Sequence, residues 1–133
     1  MSRRELREQL FKLLFRVEFN DLEEMKEQCS FFFEDIDNTV AEKDMPVIQD
    51  KIDKIMEKLP ELDAQINEHA KGWTTDRMAK VELTIIRLAV YEILFDESVP
   101  TGVAINEAVE LAKKFGQDSS FSFVNGILAR FTS

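Results

Sequence analysis

The stretch LTIIRLAVYEILF, residues 83–95, decides the fold of this 133-residue chain. Its residues are apolar on nearly every side of a helix, which is typical of a helix buried at the centre of a protein. Arg87 and Glu92 interrupt it, and it is too short to span a bilayer. We therefore expect a central buried helix and no membrane span.

Apolar residues at helical spacing continue on both sides of this stretch, without the alternation typical of strands. The chain contains only four Gly and three Pro residues, and this low number of turn-forming residues favours helices. We predict an all-α single domain of about seven helices. Pro60 is expected to end the third helix or start the fourth, and Gly72 to stop the fourth. Thr74 or Thr75 is expected to cap the fifth helix, and Gly116 to close the sixth.

Charge is distributed unevenly. The net charge is −9, but residues 1–17 carry +3, residues 18–69 carry −11 and residues 70–133 carry −1. The opening SRRELREQLF (2–11) contains Arg3, Arg4 and Arg7. Positive side chains at a helix N-terminus oppose the helix dipole, and guanidinium groups suit phosphates and stack on bases. With a Debye length of about 8 Å, such a local patch can bind an anionic ligand although the rest of the chain is acidic.

A second cluster is LAKKFGQDSSFSFVNG, residues 111–126. Lys113 and Lys114 end one helix, and the amide groups that open the next helix could hold a phosphate beside them. Phenylalanines in this stretch offer faces to unstacked bases, although some must belong to the core. We expect Phe123 to be partly core and Phe115 to be the more exposed of the two.

The sequence contains no constellation typical of an enzyme. His69 lies in a polar, acidic stretch, and Cys29 lies on an apolar helical stripe where an inert buried thiol is expected. No glycine-rich phosphate loop and no metal-ligand spacing occur. We predict a non-enzymatic protein without metal or cofactor. The lone cysteine and the charged N-terminus predict a cytoplasmic location.

Three stretches resemble the NusB family of transcription-antitermination proteins. RRELREQLFKLLF (3–15) is similar to that family's R-R-x-A-R-E-x-A-x-Q-x-L-Y opening. VELTIIRLAVYEIL (81–94) resembles its V-E-x-x-I-L-R-x-A-x-Y-E-L helix. VPTGVAINEAVELAKKFGQDSSFSFVNGIL (99–128) resembles its most specific stretch, in which INEAVELAK is followed by FVNG. The resemblance covers essentially the whole chain, with residues 18–70 matching only in pattern.

The resemblance implies one RNA-binding domain over residues 1–133, built of two perpendicular helical subdomains. It implies binding to boxA-type single-stranded RNA together with NusE, a small-subunit ribosomal protein, so that RNA polymerase reads through terminators in ribosomal RNA operons. We matched this sequence to the family's RNA-binding positions and added Lys113 from the second cluster. The predicted RNA-binding residues are Arg3, Arg4, Arg7, Lys113, Phe115, Gly116, Gln117, Ser119, Ser122 and Phe123. Glu82 lies where the family meets NusE.

Three positions depart from the family pattern. Glu5 replaces a usual basic residue, Phe15 replaces Tyr, and Ser122 replaces a common Lys. These departures predict weak RNA binding by this protein alone. The alternative is an acidic protein–protein adaptor that uses residues 18–69 and does not bind RNA directly. Monomer and homodimer both remain open, because an apolar helix face can be core or interface.

Overall fold

The computed structural model describes residues 1–132, and over that range it is helical without strands. The prediction of an all-α protein is confirmed. The described chain contains six α-helices, which are α1 (Arg3–Phe15), α2 (Glu24–Glu34), α3 (Met45–His69), α4 (Lys80–Phe95), α5 (Thr101–Phe115) and α6 (Ser120–Ala129). Short 3₁₀ turns occur at Arg16–Glu18, Glu42–Asp44 and Thr75–Arg77.

The chain divides into two compact units, with the boundary inside α3 between Glu57 and Lys58. In the first unit α1 packs against α2. Its core consists largely of side chains from α1, α2 and the first half of α3: Leu10, Leu13, Leu14, Met25, Phe32, Ile48, Ile52 and Ile55. Hydrophobic burial of these side chains stabilises the unit.

Local side-chain hydrogen bonds stabilise the starts of α1 and α2. The Ser2 hydroxyl accepts a hydrogen bond from the Glu5 amide at 3.0 Å, which satisfies a free N–H of the first turn of α1. Before α2, Asp21 and Glu24 exchange hydrogen bonds, each backbone amide donating to the other's carboxylate, at 2.9 and 2.8 Å. This reciprocal arrangement is a capping box, whose sequence signature is an Asp followed three residues later by a Glu.

In the second unit α4 lies against both α5 and α6, which also pack against each other. The buried residues of α4 form a nearly continuous run from Leu83 to Glu92, broken only by the half-buried Arg87. The central helix predicted from residues 83–95 is therefore confirmed. Only its last turn departs, because Leu94 is 41% exposed.

The prediction that Pro60 separates two helices was wrong. Pro60 lies inside α3, which runs unbroken over 25 residues, so six α-helices replace the expected seven. The Pro60 side chain is exposed, while Leu59, Leu62 and Ile66 around it are buried. Continuous burial of this face outweighs the hydrogen bond that proline cannot donate.

The expectation that Thr74 or Thr75 caps the buried helix was also wrong. Gly72 ends the α3 region in a left-handed conformation with φ 89°, as a residue after a helix often does. Thr74 instead precedes the 3₁₀ turn and its hydroxyl donates to Asp76, whereas α4 begins only at Lys80. No helix of the described chain combines the length and apolar character needed to cross a membrane.

Candidate nucleic-acid interface

A cleft of about 510 Å³ lies in the second unit between the start of α4 and the α5–α6 turn. Its lining includes four of the predicted RNA-binding residues: Phe115, Gly116, Gln117 and Ser119. The same cleft is lined by Glu82, the predicted NusE contact, and by Lys80. The fold thus brings residues more than 30 positions apart to one concave surface.

The α5–α6 turn is held by a close approach between Gly116 and Ser120. A Cβ atom on Gly116 would lie 2.6 Å from both Cβ and Oγ of Ser120 and 2.7 Å from the Ala112 carbonyl oxygen. Gly116 follows α5 as predicted, but its φ of −93° and ψ of −168° are extended rather than left-handed. Glycine is needed here for space and not for an unusual backbone angle.

Ser120 is a residue of this turn that lies outside the predicted RNA-binding set. It is 3% exposed, and its hydroxyl accepts a hydrogen bond from the Gln117 amide at 2.9 Å. Ser119 precedes α6 without a side-chain hydrogen bond to the helix. The buried serine therefore fixes the backbone, and the exposed side chains of Gln117 and Ser119 are presented to solvent.

Cationic and aromatic side chains meet on the outer surface of α5 and α6. The Lys113 ammonium lies 5.7 Å from the Phe121 ring centroid and 3.7 Å from a Glu110 carboxylate oxygen. Both members of that ion pair are about half exposed, so the pair contributes little stability and a phosphate can replace the carboxylate. Ser122 is exposed beside Phe121, which is 40% exposed.

Two phenylalanines flank the α5–α6 turn, and Phe123 is partly core, as predicted. Phe115 and Phe123 are both half-buried. Phe115 lines the cleft and carries the Lys114 ammonium 5.5 Å from its ring centroid. Phe123 makes an edge-to-face contact with Trp73, with ring centroids 5.1 Å apart. Both rings therefore keep part of their surface accessible to solvent.

The arginine-rich start of α1 lies in the first unit. Arg3 and Arg4 are exposed, but Arg7 is only 6% exposed. Arg7 was predicted to bind RNA, but it lies within the apolar stripe of α1. Arg7 precedes Leu10, Phe11 and Leu14 by three, four and seven positions, the spacing of one helix face, and those three side chains are buried.

Cys29 has the surroundings of a structural thiol, as the sequence indicated. It is 4% exposed, and burial raises the pKa of the thiol. The Gln49 side-chain amide lies 3.8 Å from Sγ. Residues 1–132 bring together no group of three or more His, Cys, Asp or Glu side chains suited to a metal ion.

The family model described as the NusB family matches residues 4–133. The chain belongs to the NusB family. The transcription antitermination protein NusB of Agathobacter rectalis is 53% identical over 131 residues, which cover 98% of this chain and 99% of that protein. The protein of the same name from Lachnoclostridium phytofermentans is 52% identical over 130 residues and 98% of each chain.

Solved structures of NusB share the fold. T. maritima NusB has a TM-score of 0.81 and 36% identity, with 98% of this chain and 90% of that chain covered. The crystal structure of antitermination factors NusB and NusE in complex with dsRNA contains a chain with a TM-score of 0.76 and 26% identity. That match covers 97% of this chain and 94% of the other.

Proposed function

We propose that this NusB-family protein is a non-enzymatic transcription antitermination factor. In this proposal it binds boxA-type single-stranded RNA together with NusE and promotes processive transcription of ribosomal RNA in the cytoplasm. It acts on RNA polymerase indirectly, through the assembled complex. The observation that carries the proposal is the cleft that gathers Phe115, Gly116, Gln117 and Ser119 beside Glu82. Relatives named transcription antitermination protein NusB support the antitermination role, and the solved complex of NusB with NusE and dsRNA supports RNA and NusE as partners.

The chemistry of the cleft and its rim suits an unpaired strand. Phe115 and Phe123 offer ring faces on which bases stack, and Gln117 and Ser119 offer hydrogen-bonding groups to base edges. Lys113 provides a positive charge for a phosphate on the α5 side. Single-stranded RNA exposes both base faces and base edges, whereas the deep, narrow major groove of an A-form duplex hides them from side chains.

The start of α1 supplies a separate set of phosphate contacts. Arg3 and Arg4 are exposed and can form paired hydrogen bonds with phosphate oxygens. Arg7 was predicted to do the same, but its burial leaves little surface for RNA. Glu82, in the first turn of α4, remains the proposed contact with NusE.

A binding series over salt concentration tests this proposal. Labelled boxA-type RNA, a scrambled RNA of equal length and a duplex are titrated with the protein, with and without NusE. We expect the boxA strand to bind best, and NusE to strengthen binding. The logarithm of affinity should fall with the logarithm of salt by about 0.7 per phosphate neutralised. Equal affinity for boxA and scrambled RNA in the presence of NusE would contradict sequence-specific recognition.

The double substitution Arg3→Gln with Arg4→Gln separates this proposal from the adaptor alternative. Residues 18–69 carry −11, which would suit a basic protein partner without any RNA. Loss of both arginines should weaken RNA binding and reduce the salt slope while NusE binding is retained. Unchanged assembly on RNA would favour the acidic adaptor. The matched control is Lys43→Gln with Lys54→Gln, which removes two exposed positive charges outside α1.

A further inference from the structure

We infer that Trp73, flanked by Arg77 and Phe123, is a stacking site for an unpaired nucleobase of the bound RNA. This inference rests on the proposed function, because it adds a contact to the same RNA. Neither Trp73 nor Arg77 belongs to the stretches that predicted the site. Trp73 is the only tryptophan of the chain.

The contacts of Trp73 combine an exposed ring with a cation. The residue is 44% exposed, which is unusual for a side chain with so much apolar surface. The Arg77 guanidinium carbon lies 5.7 Å from the indole centroid. The indole also packs edge to face against Phe123, with an interplanar angle of 77°. An exposed aromatic ring beside a guanidinium is the combination used by proteins that stack single-stranded bases.

The loop that carries this pair is ordered by its own hydrogen bonds. The Trp73 amide donates to the Ala70 carbonyl at 2.7 Å, and the Arg77 amide donates to the Thr74 carbonyl at 2.9 Å. The Thr75 amide donates to the Asn67 side-chain oxygen at 2.8 Å. Because the backbone is already fixed, little conformational entropy is lost when a base stacks on the indole.

The charge and position of the loop favour RNA as the occupant. Residues 71–80 contain three basic side chains, Lys71, Arg77 and Lys80, against the single acidic Asp76. The loop is thus a positive segment in an acidic protein. It runs directly into Ala79–Glu82, which line the cleft, and Phe123 connects the indole to α6. A strand lying in the cleft can therefore place a neighbouring base on Trp73.

Intrinsic fluorescence measures this contact directly, since excitation at a wavelength too long for Tyr91 to absorb gives emission from Trp73 alone. Titration with a 12-nucleotide single-stranded boxA-type RNA should quench the emission in parallel with binding measured by anisotropy of labelled RNA. Trp73→Leu should weaken that binding on the order of tenfold, the effect of removing one base–aromatic stack. Trp73→Phe keeps a stacking face and should restore most of the affinity, which separates stacking from a general loss of structure.

Arg77→Gln should weaken binding more than the control Arg130→Gln, which removes the same charge from an exposed position at the end of α6. RNA binding with unquenched emission and equal affinity for the wild type and Trp73→Leu would overturn this inference and leave the proposed function standing. A loss of NusE binding in Trp73→Leu with RNA affinity unchanged would assign the indole to a protein contact instead. No RNA binding by the wild type, with or without NusE, would overturn both.

Discussion

Arg87 in α4 and Asp63 in α3 form a two-point ion pair, with Nε–Oδ1 and Nη2–Oδ2 distances of 2.8 Å each. Arg87 is the one charge near the middle of the apolar stretch 83–95. Its side chain is 12% exposed and that of Asp63 is 28% exposed. Paired in this way, the guanidinium is compatible with a largely buried helix, because its charge is not left without a partner.

Removal of one partner should therefore be costly. We expect Asp63→Ala to lower the free energy of unfolding by about 2 kcal/mol, since it removes the two-point contact between Asp63 and a partly buried guanidinium. The control Asp50→Ala removes the partner of Lys54 in an exposed pair of the same helix, and should cost about 0.5 kcal/mol or less. Urea denaturation of both variants measures the difference. Equal effects would show that the buried pair contributes no more than the exposed one.

Gly116→Ala should distort the α5–α6 turn. The added Cβ overlaps Ser120 and a backbone carbonyl, so we expect a loss of about 1–3 kcal/mol in unfolding free energy together with weaker RNA binding. Gly126→Ala is the control, because nothing lies within 4 Å of its Cβ position inside α6. There alanine should stabilise the protein by about 0.5–1 kcal/mol. A stable Gly116→Ala variant with normal RNA binding would refute the close-approach explanation.

Pro60→Ala should stabilise the protein. Pro60 is exposed inside α3, where alanine restores a backbone donor and loses no buried contact. We expect the unfolding free energy to rise by about 1–3 kcal/mol, measured by urea denaturation. Pro46→Ala, in the first turn of the same helix, should have a much smaller effect, since that amide has no partner within the helix. A destabilised Pro60→Ala variant would mean that the proline ring makes a needed contact.

The Cys29 thiol should react slowly with Ellman's reagent in the folded protein. Burial raises its pKa, which lowers the thiolate fraction at neutral pH and adds to the steric protection. The raised pKa also makes folding stability depend on pH. The stability that the protonated Cys29 thiol contributes is fully present below the pKa of the unfolded thiol, and it is lost as pH rises through the raised pKa of the folded state. Reaction in urea provides the reference rate, and Cys29→Ala provides the blank. Equal rates for folded and unfolded chains would contradict the burial.

The main helical elements could be predicted from sequence where the apolar period was long and its ends carried local signals. Three features depend only on neighbours within one or two helical turns. They are the apolar stripe of α1 with its Ser2 cap, the capping box at Asp21 and the buried run of α4. Pro60 was misjudged because packing overrules its local preference, and Thr74 because the loop before α4 forms its own hydrogen bonds. Burial of the Leu59–Ile66 face continues α3, and hydrogen bonds within residues 67–78 delay the start of α4.

For the candidate interface, the sequence by itself determined which residue types are available: exposed arginines at the start, lysines and phenylalanines after residue 112, and a glycine between two helices. Only the tertiary structure decided which of them share a surface. It buried Arg7, placed Glu82 in the cleft with Phe115, and set Trp73 against Phe123. The helical period of the sequence shows which face of a helix is apolar. It does not show which distant segment packs against that face, because this depends on how side chains from separate helices fill a common core.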